Sequence, residues 1–292
     1  MSETTSSKKS VAPISLRRRL TDLVMTGAAV STVVIVLAPL VAIFGYLVYR
    51  GIGSLNWTFL TQTPKPVGEV GGGMANAIVG SIMILAIASV IGVPFGVGAG
   101  IYLAEFGRNP MGSIIRFTAD VLNGVPSIVI GIVGYAIVVL YQHHFSALAG
   151  GVALSIMMVP TICRTTEEML LLVPQALREA AYGLGVPRWR TTLSIVLRTA
   201  TSGVITGIML AFARIAGETA PLLFTTLGNQ FWNLRYDQPT AALPLQIFVY
   251  ANSPYEDWHR QAWAGSFVLI ILIVGSVAAV RYVVRRGSFG TA

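Results

Sequence analysis

Arg214 and Glu218 are two charged residues within the long apolar stretch 203–226. In a continuous helix they would lie one turn apart on one face. That face would also carry three small residues, Gly203, Gly207 and Ala211. A charge facing lipid would cost about 2.5 to 3.5 kcal/mol, so we expect the two side chains to point inward and to pair. Because a guanidinium binds oxyanions through planar, charge-assisted hydrogen bonds, the pair predicts a path for an anion, with Glu218 restraining Arg214. The alternative is a static pair that only fixes helix packing.

A second candidate site lies in the apolar stretch 114–141, where the run Asn123-Gly124-Val125-Pro126 disfavours a continuous helix. A helix restarting after this run would direct its N–H groups and positive dipole end into the membrane, as broken helices of transporters do toward anionic substrates. Asn123 and Ser127 are the candidate side chains. A proline kink that serves packing alone is the alternative. We expect Asp120 to pair within the helix bundle, with a partner that the sequence does not identify.

The segment 173–198 is too polar to span a membrane but is patterned. It reads Glu179-Ala180-Ala181, three residues, Gly185, nine residues, then Ile195 and Leu197. Proline suits a helix start and glycine a helix end, so two short helices are predicted. The relevant residues are Pro174, Gly183, Gly185 and Pro187.

The first of these two helices has an amphipathic pattern. Apolar residues recur at i, i+3, i+4 and i+7, which makes one apolar face beside Glu179. They are Leu177, Ala180, Ala181 and Leu184. Such a face can bind a shallow groove on a partner protein. The alternative is an amphipathic helix that lies against the protein's own spans.

The composition indicates a membrane protein. The chain is 54% hydrophobic and 11% charged, with a mean hydropathy of +0.72, whereas soluble domains are about one-quarter charged. The net charge of +8 does not indicate nucleic-acid binding, because basic and aromatic residues are not interleaved on a polar segment. Cys163 is the single cysteine, which excludes an internal disulfide or a cysteine-based zinc site. The phosphate-binding pattern Gly-x-x-x-x-Gly-Lys-Ser/Thr does not occur, so we expect neither catalysis nor ATP hydrolysis by this chain.

Six stretches are long and apolar enough to be helices that cross a membrane, for which about 20 residues suffice. They are 23–49, 77–104, 114–141, 148–172, 203–226 and 263–284. The fourth becomes polar in its second half, so we expect its helix to leave the membrane near Cys163. Glycines at four-residue spacing, Gly92, Gly96 and Gly100, predict close helix packing.

This pattern predicts an all-α membrane protein of six helices. Residues 1–20 are predicted to be a disordered tail, 21–286 the membrane domain with its loop 173–198, and 287–292 a second tail. The first apolar stretch follows Arg17, Arg18 and Arg19 but is longer than a signal peptide, so we expect a retained helix.

Lysine and arginine predict the orientation, since they are enriched beside cytoplasmic loops. They cluster in 8–19, 108–116, 164–198 and 281–286, whereas the other side carries only Arg50, Lys65, Arg235 and Arg260. Both termini and the segment 173–198 are therefore predicted to be cytoplasmic.

The pattern of 173–198 resembles the docking loop of permease subunits in ATP-driven (ABC) importers. Further segments resemble the PstA-type permeases of phosphate-specific ABC importers, a family with a MetI-like architecture. These segments are 71–81, 101–106, 123–129 and 217–225, of which Thr219-Ala220-Pro221-Leu222-Leu223 is the most specific. The family often has proline after Ile-x-Leu, where this chain has Arg198. Without that proline a break before the fifth span is less secure, so the helix is free to continue.

The resemblance implies phosphate import across the inner membrane of a bacterium. It also implies a PstC-type permease, a PstB-type ATPase dimer and a PstS-type phosphate-binding protein as partners. Glu179 would then dock the ATPase, and Thr219 would join the path with Arg214 and Glu218. Three alternatives stay open: a permease for sulfate or molybdate, a channel or carrier that needs no ATPase, and a membrane scaffold.

Overall fold

The computed structural model describes residues 16–288. The chain divides into two compact units, residues 1–49 and 50–292. The predicted tails, 1–20 and 287–292, lie mostly outside the described residues, and the parts of them that are described, 16–20 and 287–288, are helical. No β-strand occurs within 16–288, and the elements are thirteen α-helices and two π-helical segments.

The first unit consists, in its described part, of most of helix α1, Leu16–Ser54. The second unit contains the end of α1, then the short helix α2, Trp57–Thr61, and the long helix α3, Ala75–Phe106. A bent pair follows: α4, Pro110–Gly124, and then α5, Ser127–Gly134, which continues through π1, Tyr135–Val139, into α6, Leu140–Gln142.

The central helix α7, Ala147–Leu171, is followed by α8, Gln175–Gly183. A long continuous helix then comprises α9, Arg188–Thr191, π2, Thr192–Val196, and α10, Leu197–Ala216. The chain ends with α11, Ala220–Thr225, α12, Leu243–Ala251, and α13, Glu256–Ser288.

Five helices of the described chain are long and apolar enough to cross a membrane, and the bent pair supplies a sixth if it is counted as one span. The helical prediction is therefore confirmed. The third predicted span is interrupted as expected: α4 and the helix from Ser127 to Gln142 meet at an angle of 108°.

The fifth predicted span, 203–226, is wrong as a single helix. α10 ends at Ala216, with Gly217 as its C-terminal cap, and α11 begins at Ala220. Gly217 caps the end of α10, and Pro221 stands in the first turn of α11, where its fixed φ and missing N–H suit a helix start. In a continuous helix the Pro221 ring would also crowd the carbonyl of Gly217, four residues earlier. Proline alone does not break a helix in this chain, since α3 and α7 continue through Pro94 and Pro160.

The second unit is built around α7, which packs against α3, α4, α5, α10 and α11. The seam between α3 and α7 is closed by the glycines that the sequence singled out. A Cβ at Gly96 would lie 2.7 Å from the Cβ of Ile162, and one at Gly100 would lie 2.5 Å from the Cβ of Thr166. The prediction that these glycines serve helix packing is confirmed, since only hydrogen at their Cα lets the backbones approach.

A smaller cluster packs between α2, α3, α12 and α13. Phe59, Met74 and Leu243 are buried there, and the backbone N–H of Leu243 donates to Ser81 Oγ at 2.6 Å. Tyr250 stacks on Trp258 with ring centroids 4.3 Å apart. These contacts fix α12 to the two flanking long helices.

Candidate functional site

Arg214 lies in the last turn of α10, where a positive charge is favoured by the helix dipole. Its side chain is exposed, and within residues 16–288 it forms no ion pair. Glu218 lies beyond the end of the helix and is half-buried. The predicted pairing of Arg214 with Glu218 is therefore wrong, because the helix that would have aligned them ends between them.

The prediction that Arg214 shares an inward face with the small residues of α10 is also wrong. Gly203 and Gly207 pack against Met169 and Thr165 of α7, and Ala211 is buried. Arg214 instead belongs to a row of exposed residues at four-residue spacing. The row consists of Arg198, Ser202, Thr206, Leu210 and Arg214. We call it the open row, because no other part of the described chain covers it.

The break between α4 and α5 holds the second candidate site. Asn123 Oδ1 accepts a hydrogen bond from Thr161 Oγ1 of α7 at 3.1 Å, and Ser127 is the half-buried first residue of α5. Beyond the break, α5 packs closely on α11, where a Cβ at Gly131 would lie 2.7 Å from the Cα of Pro221. The structure thus fixes Asn123 to α7, but shows no hydrogen bond from Asn123 or Ser127 to Arg214, Glu218 or Thr219 within the described residues.

The sequence did not reveal a charged network that begins at Asp120. Arg164 Nε lies 3.0 Å from Asp120 Oδ1, and Arg164 Nη1 lies 2.8 Å from Glu167 Oε2. Glu167 Oε1 also accepts from Arg116 Nε at 2.6 Å. The Glu167 side chain is only 4% exposed. Together with Asn123 and its partner Thr161, these residues join α4 to α7 along a polar ladder.

Arg116 extends this ladder to the end of α3. Its Nη1 donates to the carbonyl oxygen of Gly107 at 2.8 Å, and its Nη2 donates to that of Leu103 at 3.1 Å. These carbonyls belong to the last turn of α3 and to the residue after it, and the Leu103 carbonyl also accepts from the backbone N–H of Gly107 at 3.1 Å. The guanidinium therefore joins α3, α4 and α7.

Helix α8 begins after Pro174 and ends as predicted near Gly183, and Gly185 has a positive φ of 77°. The second predicted short helix is wrong as a separate element, because α9 runs through π2 into α10. The continuation that the missing proline at Arg198 allows is confirmed. Ile195 lies within π2 and Leu197 begins α10, and both are half-buried.

The residues of α8 are divided between two faces. Arg178 and Ala181 are buried, whereas Glu179 and Ala180 are exposed. Leu184 is 84% exposed. The predicted continuous apolar face is therefore wrong for Ala181, which packs inward, but α8 does present an exposed surface, formed by Leu177, Ala180 and Leu184 beside Glu179.

The inward attachment of α8 was also not found from the sequence. Arg178 Nη1 forms an ion pair with Glu105 of α3, and its Nη2 donates to the carbonyl oxygen of Leu170 at 2.8 Å. Both charged side chains are more than nine-tenths buried. The position of Glu105 near the end of an apolar span was the available signal, although it named no partner.

Comparison with known proteins gives a consistent result. Residues 92–288 match the family of binding-protein-dependent transport system inner membrane components. The phosphate transport system permease protein PstA of Yersinia pestis is 48% identical over 242 residues, covering 82% of each chain. That of Haemophilus influenzae is 44% identical over 259 residues, 88% of this chain and 91% of the relative.

A more distant relative and a solved structure extend this comparison. PstA of Mycobacterium leprae is 36% identical over 287 residues, 95% of this chain and 94% of the relative. An inward-facing structure of the MetNI methionine ABC transporter superposes with a TM-score of 0.54 at 16% identity, covering 73% of this chain and 94% of that one. This last likeness concerns the fold.

Proposed function

Since the chain belongs to the family of binding-protein-dependent transport system inner membrane components, and within it to the PstA-type permeases, we propose that it translocates inorganic phosphate as a permease subunit of an ATP-driven importer. The observation that carries this proposal is the similarity to phosphate transport permeases over most of the chain, at 35% to 48% identity. As in this family, the chain is a multi-pass component of the inner membrane.

The open row of α10 supports a path at an interface with a second permease subunit. Polar side chains facing lipid are unfavourable, and ionisable ones in membrane spans generally face a bundle interior or an aqueous cavity. The exposed side chains of Ser202, Thr206 and Arg214 face neither a bundle interior nor a cavity formed by residues 16–288. A PstC-type subunit placed over the row would enclose these side chains and leave Arg214 free to bind phosphate.

In this path each candidate residue has a different part. Arg214 attracts the anion, and Glu218 and Thr219 lie after the end of the same helix. Glu218 limits how tightly the anion binds, since a nearby carboxylate opposes a second negative charge. Asn123 and Ser127 flank the start of α5, whose first N–H groups offer donors to an anion at the helix break.

Helix α8 is the proposed docking element for a PstB-type ATPase dimer. Its exposed apolar residues would fill a groove on the ATPase, with Glu179 and Ala180 in the contact and Gly185 ending the helix. Ala181, Ile195 and Leu197 would support this surface from within. This arrangement makes both termini and α8 cytoplasmic, as the distribution of Lys and Arg predicts, and leaves the opposite side for a PstS-type binding protein.

The test is phosphate uptake by the reconstituted complex in proteoliposomes, with ATP inside and the binding protein outside. We expect phosphate uptake to require both ATP and this subunit. We also expect that excess sulfate or molybdate does not inhibit it. Competition by sulfate or molybdate would instead identify another oxyanion as cargo. Uptake that persists without ATP would contradict the importer.

The docking role has its own test. Glu179→Arg reverses an exposed charge and is expected to weaken association with the ATPase by about tenfold, a common size for one close charge pair at an interface. Arg108→Gln is the control, since Arg108 is also exposed and lies between α3 and α4. A Glu179→Arg complex that assembles and transports as the unmutated one does would exclude this role.

A further inference from the structure

Helix α8 is attached to its neighbours in several ways. It follows α7 after three residues and packs against α9 and π2, and the guanidinium of Arg178 binds the ends of α3 and α7. That guanidinium binds Glu105, the residue before the last of α3, and the carbonyl oxygen of Leu170, the residue before the last of α7. One residue of α8 therefore holds the ends of both helices.

Among the described residues, these two helices share the most extensive helix–helix contact. At Gly96 and Gly100 of α3, Ile162 and Thr166 of α7 lie too close to leave room for a methyl group, and at Gly92 the contact with Met158 is tight. Arg116 joins the same end of α3 to Glu167. A displacement of this end is therefore shared by α3 and α7, because a packed core transmits displacement rather than absorbing it.

The chemistry of Arg178 suits a directional link. A buried ion pair generally adds little net stability over well-packed apolar side chains. A planar guanidinium, however, binds two acceptors at a fixed angle, which a lysine ammonium or an apolar side chain does not do. Arg178 thus fixes the orientation of α8 relative to α3 and α7, while the opposite surface of the helix stays free.

We propose that Arg178 is a positioning residue for energy coupling: it transmits movement of α8 to the α3–α7 seam, with Glu105 and the Leu170 carbonyl as its two points of attachment. The proposal rests on the proposed function, in which an ATPase moves α8. Docking and transmission are then separate properties of one helix. The exposed surface binds the ATPase, and the buried arginine passes the movement on.

The test measures phosphate taken up per ATP hydrolysed in proteoliposomes, together with retention of the ATPase during purification. For Arg178→Gln and Glu105→Gln we expect the ATPase to stay bound and the coupling ratio to fall roughly tenfold, within the usual range of coupling effects. Arg178→Lys keeps the positive charge but loses the fixed angle between the two bonds. Its coupling ratio should therefore lie between those of the unmutated complex and of Arg178→Gln. The double variant Arg178→Glu with Glu105→Arg should recover part of the ratio, because it restores the ion pair but not the bond to Leu170.

The control is Arg108→Gln, which removes an exposed arginine near the end of α3 and should leave the ratio unchanged. An unchanged ratio in assembled Arg178→Gln would overturn the proposal. Failure of all the Arg178 and Glu105 variants to assemble would also overturn it, by leaving Arg178 only a folding role. Failure of Leu184→Cys, in a complex with Arg178 and Glu105 unchanged, to crosslink to the ATPase would contradict the proposed docking surface instead.

Discussion

The seam between α3 and α7 and the open row of α10 differ in whether their charged side chains have partners within the chain. Along the seam every charged side chain of the α4–α7 ladder and of the α8 attachment has a partner within the chain. Along the open row Arg214 has no ion-pair partner in the described chain. Charged side chains that are paired within the chain hold its helices together, whereas an unpaired charged side chain is available to bind another molecule. Burial and pairing therefore distinguish the charged side chains that join helices from those that remain exposed, which position in the sequence does not.

The largest effect is expected for Arg214, the unpaired arginine near the end of α10. Arg214→Gln removes the one guanidinium of the open row near the end of α10 and should lower phosphate uptake about 100-fold, since a hydrogen bond to a charged group contributes about 1.5 to 3 kcal/mol. Uptake by the assembled complex measures it. Arg214→Lys should retain part of the activity. Unchanged uptake in Arg214→Gln would place this arginine outside the path.

For the paired residues between α4 and α7, the expected effect is on the stability of the folded protein. Glu167→Gln leaves Arg116 and Arg164 without their shared buried carboxylate, and should cost about 3 kcal/mol, at the low end for a broken buried pair because both arginines are partly exposed. Thermal unfolding of the purified protein in detergent measures the loss. Asp120→Asn is the matched control and should cost less than about 1 kcal/mol, since Asp120 is 57% exposed. Equal losses in the two variants would contradict the importance of burial.

The closed packing of the seam can be tested with two neighbouring glycines. Gly96→Ala places a methyl group 2.7 Å from the Ile162 Cβ and should cost about 2 kcal/mol through overpacking. Gly98→Ala meets nothing within 4 Å and should be neutral or stabilising by up to about 1 kcal/mol. Unfolding midpoints of the two variants give the comparison, and a reversed order would show that the seam is looser than described.

The smallest effect is expected from the hydroxyl groups of the open row. Thr206→Val and Ser202→Ala should each lower uptake about two- to tenfold, the range for one neutral hydrogen bond. Thr199→Val is the control, because Thr199 is also exposed but lies outside the row. If Thr199→Val lowered uptake as much as Thr206→Val does, the proposal that the open row lines the path would be wrong.

The features that the sequence predicted correctly are local ones. Glycine spacing on α3, the break at Pro126 and the start of α8 at Pro174 each depend on residues within a few positions of one another. The pairing of Arg214 with Glu218 was wrong for a reason also visible locally, the Gly217 to Pro221 spacing, which the apolar length of 203–226 obscured.

The partners of Asp120 and Arg178 could not be predicted in the same way. Their ion pairs join residues 44 and 73 positions apart in the chain, on helices whose packing order no local pattern specifies. A charged residue at the end of an apolar stretch indicates that it has a partner, but only the fold identifies that partner.

The π-helical segment Thr192–Val196 has a consequence for chain length. A π turn holds one residue more than an α turn, so deleting one residue here would let an ordinary α turn form in its place. Because that turn would complete the same rotation with one residue fewer, α9 would keep its angular position relative to the open row, whereas a deletion in a purely α-helical stretch would rotate the flanking parts by roughly 100°. The segment should therefore tolerate the loss of one residue better than the regular part of α10 does.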